Sequence, residues 1–242
     1  MMPIRAAAIG GGRLLRLSSL NRFMQGAGTG TLDIPVTTAT GKILLVAVCG
    51  DVSGTVESPY TITYDLGGSG NVFTQHRAVG GGEGSGRPRL IMASVTGVPV
   101  TGQSKNIRLA TAASSLTNFN ILTADLPSWW SGTIGNHDAS AVNSTKASHT
   151  SPSIVTGARN SLLVACGGCI DLTVGALDLS GQGGAWRLAI SPTQTGSGAT
   201  GYRGMFGTKI VPVSGTTVDA TVSTVGGGNS TNWSAGVIEI RP

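Results

Sequence analysis

ILLVAV at residues 43–48 and SLLVAC at residues 161–166 share the word LLVA, 118 positions apart. Two further pairs follow in the same order. VPVTG at 98–102 answers VPVSG at 211–215, and SLTNFNILTADL at 115–126 answers NSTNWSAGVIEI at 229–240, with offsets of 113 and 114. Three short matches in one order and at nearly constant offset mark an internal repeat. The chain therefore divides into two related halves, 31–126 and 150–242, joined by a linker at 127–149 and preceded by a basic arm at 1–30.

Within each half the periodicity is that of strands. Tyr60, Ile62 and Tyr64 alternate with Thr61 and Thr63, and Val218, Ala220 and Val222 alternate with Asp219, Thr221 and Ser223,. Glycine, proline and asparagine clusters separate these runs. Pro99 and Pro212 lack a backbone donor, which places each at a strand end or sheet edge before a turn,. The fold class is all-β. Each half supplies about four or five strands and leaves an apolar face open, so the expected arrangement is one jelly-roll-like antiparallel β-sandwich built from both halves. Two small sandwiches are the alternative.

Composition agrees with that class. Charged residues make up only 11% of the 242, glycines number 38, and the apolar fraction of 40% is enough to bury a core,. The net charge of +5 is uneven: Arg5, Arg13, Arg16 and Arg22 lie in residues 1–32 with no acid, while the rest holds twelve basic and eleven acidic side chains. A nearly neutral body without a basic, aromatic-lined stripe argues against nucleic-acid binding.

The arm lacks the uninterrupted apolar run of a secretory signal, because Arg13 and Arg16 break it, and no segment is long enough to span a bilayer,. No membrane association is expected. Arg5, Arg13, Leu14, Arg16, Leu17, Arg22 and Phe23 combine charge with apolar side chains, with Leu15 and Leu20 among them, between glycine-rich joints at 10–12 and 26–30. That pattern suits docking onto another protein, with a flexible leader as the plainer reading.

Chemistry is sparse. There is no Gly-x-Ser-x-Gly, and His76, His137 and His149 show no metal-ligand spacing,. His137 beside Asp138 in GNHDAS reads as an exposed loop, since adjacent residues rarely face each other. The aspartates fall near turns, and GGGEGSG at 80–86 lacks the Lys-Ser/Thr of a phosphate loop,. No catalytic residue, metal or cofactor is expected. Trp186 and Trp233 lie in strand-like runs and belong to the core, whereas Trp129 and Trp130, in the linker, are candidates for a surface contact or a glycan,.

Cys166 and Cys169 form a Cys-x-x-Cys without the helix that a redox pair opens,. The LLVA alignment puts Cys166 opposite Val48, on the face of Leu44 and Val46, and Cys169 on the other face, so both are expected to be structural,. With Cys49 the total is three, an odd count that fits a reducing compartment,.

A duplicated Gly/Thr/Ser-rich sandwich with LLVAV near its start, a basic arm ahead of it and a closing WSAGVIEIRP resembles structural proteins of tailed bacteriophages. It is similar to the jelly-roll modules of their head-decoration, collar and tail-fibre components. The resemblance implies a non-enzymatic virion protein, made in the host bacterial cytoplasm. It would be attached to other virion proteins through its arm and would act as a homo-oligomer, often a trimer. The alternative is a carbohydrate-binding, lectin-like module on the same scaffold.

Overall fold

A computed structural model of the chain describes residues 18–27, 31–53, 61–64, 71–80, 89–100, 105–110, 115–126, 130, 133–170, 176–195, 202–226 and 228–242. The described residues form antiparallel strands and their connections. The first eight are β1 (Ser18–Ala27), β2 (Thr31–Val36), β3 (Ile43–Ser53), β4 (Thr61–Tyr64), β5 (Thr74–Gly80), β6 (Arg89–Val95), β7 (Lys105–Ala110) and β8 (Ser115–Asp125). They make a five-stranded sheet of order β1-β8-β3-β6-β5 and a three-stranded sheet of order β2-β7-β4.

The remaining strands are β9 (Ile134–Val142), β10 (Ser148–Thr150), β11 (Ile154–Val155), β12 (Ser161–Ile170), β13 (Leu177–Ser180), β14 (Arg187–Thr195), β15 (Tyr202–Val211), β16 (Thr217–Val218), β17 (Thr221–Thr224) and β18 (Thr231–Ile240). Apart from the small β11-β16 ladder, they form sheets of order β9-β18-β12-β15-β14 and β10-β17-β13. Both halves thus share one strand order. The LLVA strands β3 and β12 are the middle strands of the two large sheets.

Among the described residues three cores hold these layers together. Ile43 and Leu45 point to a first outer core with Leu32, Ile34, Ile62, Ile107 and Leu109. On β12, Leu163 and Ala165 point to the matching outer core with Leu179, Val222 and Trp233. Leu44 and Val46 from one half, and Leu162, Val164 and Cys166 from the other, share a central core with Met92, Leu122, Phe206 and Ile238. The two large sheets pack face to face, giving four layers of three, five, five and three strands. The architecture is the expected all-β one of packed antiparallel sheets, a sandwich with further layers on both sides. Each half closes its own core, and a third core joins them. The apolar run LLVA does not alternate because both of its faces are covered. Each fully buried leucine there contributes about 1.5–3 kcal/mol.

The stacking is reciprocal. β3 lies on β12, β5 packs on β9, and β1 packs on β14. Since β9 corresponds to β1 and β14 to β5, each half offers the other the same surface, the pattern of an isologous dimer within one chain. Leu44 pairs with Ala124 and Leu162 with Ile240, so the closing strands correspond at an offset of 116, two more than the sequence match implies. An even slip keeps every residue on its face.

Two expected boundaries move. Residues 18–27, assigned to the arm, form the edge strand β1, paired with β8 from Ser18 opposite Asp125 to Ala27 opposite Thr117. Residues 134–142, assigned to the linker, form β9 on the edge of the other large sheet. Both are edge strands held by backbone hydrogen bonds, which place few demands on side-chain pattern.

Candidate functional site

Edge strands β5 and β9 bring titratable groups of both halves together. The β5–β6 ladder shifts register between Gln75 and Arg77, a bulge centred on His76,. The His76 and His137 rings meet edge to face with centroids 5.4 Å apart. His76 Nε2 lies 2.7 Å from Ser94 Oγ on β6. His137 Nδ1 donates to the Gly135 carbonyl at 2.9 Å, which fixes its tautomer when neutral,. Beside the rings, Arg77 pairs with Asp138 at 3.0 Å. Both of its members are more than a third exposed, so this pair is worth about 0–1 kcal/mol,. Burial, and then the neighbouring His137, pushes the His76 pKa down to about 4,.

His76 also lines a cleft of about 240 Å³ with Asn71, Val72, Thr74, Ser94, Val95 and Thr96. Ser94 and His76 have the spacing of a nucleophile and its base,. The chemistry does not follow. Ser94 is 4% exposed, His76 is a weak base at that pKa, and Asp138 is committed to Arg77,. Among the described residues no group of three or more His, Cys, Asp or Glu gathers to hold a metal ion. The site is a polar seam that favours the neutral form of His76.

Other polar groups secure loops. Glu239 is fully buried on β18 and receives Ser161 Oγ, the backbone N–H groups of Asn136, Gly157 and Ala158, and Arg241 Nε. Lys209, 6% exposed, donates to the carbonyls of Gln182 and Gly184 and lies 4.0 Å from the Trp186 ring centroid,. Burial lowers its pKa to about 8, against the opposing pull of Asp219. Asp219 Oδ1 accepts from Gln182 N–H at 2.9 Å, and the loop turns through Gly183 and Gly184 at positive φ,. The isolated acid in the apolar run VIEI was the one sequence signal for Glu239. Nothing local announced Lys209.

The residues singled out from sequence scatter. Arg5, Arg13, Leu14, Arg16, Leu17 and Trp129 lie outside the described residues. Arg22 and Phe23 fall within β1, their backbones opposite Leu122 and Ile121. Trp130 is 1% exposed in the central core, and its Nε1 donates to the Thr133 carbonyl at 2.8 Å. It therefore offers no face to a glycan or partner. His137, expected in an exposed loop, sits on a strand at the seam. Its polar neighbours mark an edge, not a turn. Cys166 and Cys169 face the central core and the second outer core respectively, as the repeat predicts.

No protein-family model matches the chain, and no curated protein or solved structure is significantly similar to it.

Proposed function

We propose that this chain is a non-enzymatic structural subunit of a tailed-bacteriophage particle, in a decoration, collar or fibre position, formed by duplication of a jelly roll. The observation that carries the reading is the strand order repeated in both halves. A jelly roll has eight strands in two facing sheets. In the first half, residues 71–73 begin beside β4, through Tyr64 N–H to the Asn71 carbonyl and Phe73 N–H to the Ile62 carbonyl. The chain then crosses to β6 as β5, a strand that changes sheets, and on our reading the remaining order is that of a jelly roll. Polar groups spent on internal loops, and a scaffold stiffened by three cores, suit a repeated building block.

Residues 1–17 precede β1, so attachment is assigned to Arg5, Arg13, Leu14, Arg16 and Leu17 and not to β1. A glycan-binding role is less well supported. Trp130, Trp186 and Trp233 are 1%, 8% and 0% exposed, which leaves that reading resting on Trp129.

The test is fractionation. Particles from the source culture, banded on a density gradient and probed with antiserum to this chain, are expected to contain it. A tagged copy lacking residues 1–17 is expected to fold but stay out of the particle band. Finding the full chain only in the free protein fraction, or the truncated copy incorporated normally, overturns the proposal.

A further inference from the structure

The seam is poor in acid. β5 contributes His76 and Arg77, and β9 contributes His137 and Asp138. β6 faces His76 with Ser94, and the cleft adds Asn71, Val72 and Thr74, none of them charged. β18, beside β9, brings Glu239 to the Asn136 N–H, and Arg241 follows it at the Asn136 side chain. Among the described residues Asp138 is the carboxylate next to the imidazoles, and Arg77 already takes it.

We propose that the β5–β9 seam is an acid-sensitive latch, which holds the edges of the two halves together while the His76 ring packed against His137 is neutral and loosens once His76 is protonated. A charged His76, half out of water, stands beside Arg77 and 5.4 Å from the His137 ring, and among the described residues the adjoining carboxylate, Asp138, is already paired,. The sign is fixed by linkage. A His76 that binds its proton at about 4 when folded, against 6.5 otherwise, stabilises the fold fully above pH 6.5, and this contribution drains away as the pH falls towards 4,. The opening is local because β5 and β9 are edge strands, each with one hydrogen-bonded neighbour in its sheet,. Leu44, Val46, Leu162 and Val164 keep the central core closed behind them.

Amide hydrogen exchange at pH 7 and pH 4.5, corrected for intrinsic rates, tests the latch on the whole chain. In the wild type, β5 and β9 are expected to lose protection by about 10-fold at the lower pH, while the outer sheets change little. In His76→Gln, which keeps a partner for Ser94 and gains no charge, the loss is expected to stay within about 2-fold. Equal losses in the two proteins, or a loss that begins in β2, β4 and β7, overturns the proposal. Should the variant not fold, NMR titration of wild-type His76 decides. A midpoint below about pH 5.5 supports the latch, and one above it overturns it.

Discussion

Glu239 accepts a hydrogen bond from the Ser161 hydroxyl at 2.5 Å, across 78 residues of sequence and with the carboxylate fully buried. The closing strand β18 is thereby tied to the first residue of β12 and to the loop before it. Glu239→Gln puts an amide N–H₂ among donors and leaves at least one unsatisfied, a loss of about 2–4 kcal/mol. Thermal unfolding is expected to fall by roughly 5–10 °C, and an unchanged Tm refutes the keystone role.

The same carboxylate predicts an acid limb. Burial, its largest single influence, raises its pKa. The hydrogen bonds from Ser161, Asn136, Gly157 and Arg241 together outweigh that and hold it below the ordinary 4.5. A depressed carboxylate stabilises above its unfolded value, and the effect is lost as the pH falls through the folded one. Wild-type stability should therefore drop below about pH 4.5 more steeply than that of Glu239→Gln, as chemical denaturation at stepped pH will show,.

Gly167, in the Cys-Gly-Gly-Cys stretch, has no room for a side chain. A Cβ there falls 2.5 Å from the Ser234 carbonyl oxygen and 2.6 Å from Val222 Cγ2. The first of these is backbone and cannot rotate away. Gly167→Ala is expected to destabilise by about 1–3 kcal/mol in urea denaturation. Wild-type stability in that variant would contradict the close packing of β12 on β17.

Cys166 behaves as a small hydrophobe in the central core. Burial pushes its thiol pKa far above the ordinary range, so no thiolate is available at neutral pH,. Alkylation followed by peptide mass spectrometry is expected to leave Cys166 unmodified until the chain is unfolded. Cys166→Val, the residue that the repeat places at Val48, should cost under about 1.5 kcal/mol, whereas Cys166→Ser buries a new hydroxyl and should cost more. Rapid labelling of the native protein would contradict this assignment.

Trp130 is predicted to matter for stability and not for recognition. Trp130→Ala removes a buried indole and its bond to the Thr133 carbonyl, at about 3–5 kcal/mol,. A variant that kept full stability but lost binding on a glycan array would reverse this reading.

The strand character of most segments and the faces of Cys166 and Cys169 were legible without coordinates, because a period of two fixes the side to which each residue points. The same period does not say what covers that side. LLVA was equally compatible with a strand facing one core or two, and only the stacking of β3 on β12 made it the centre of four layers. β1 and β9 escaped detection because edge strands are held by backbone bonds to β8 and β18, whatever their side chains,. His76 and His137 lie 61 residues apart, and Glu239 is bonded to groups 78 to 103 residues away. No local pattern encodes such meetings. The sequence by itself determined most of the interior strands and their faces. Tertiary structure decided which faces meet, because burial and hydrogen bonding between distant segments are properties of the assembled layers alone.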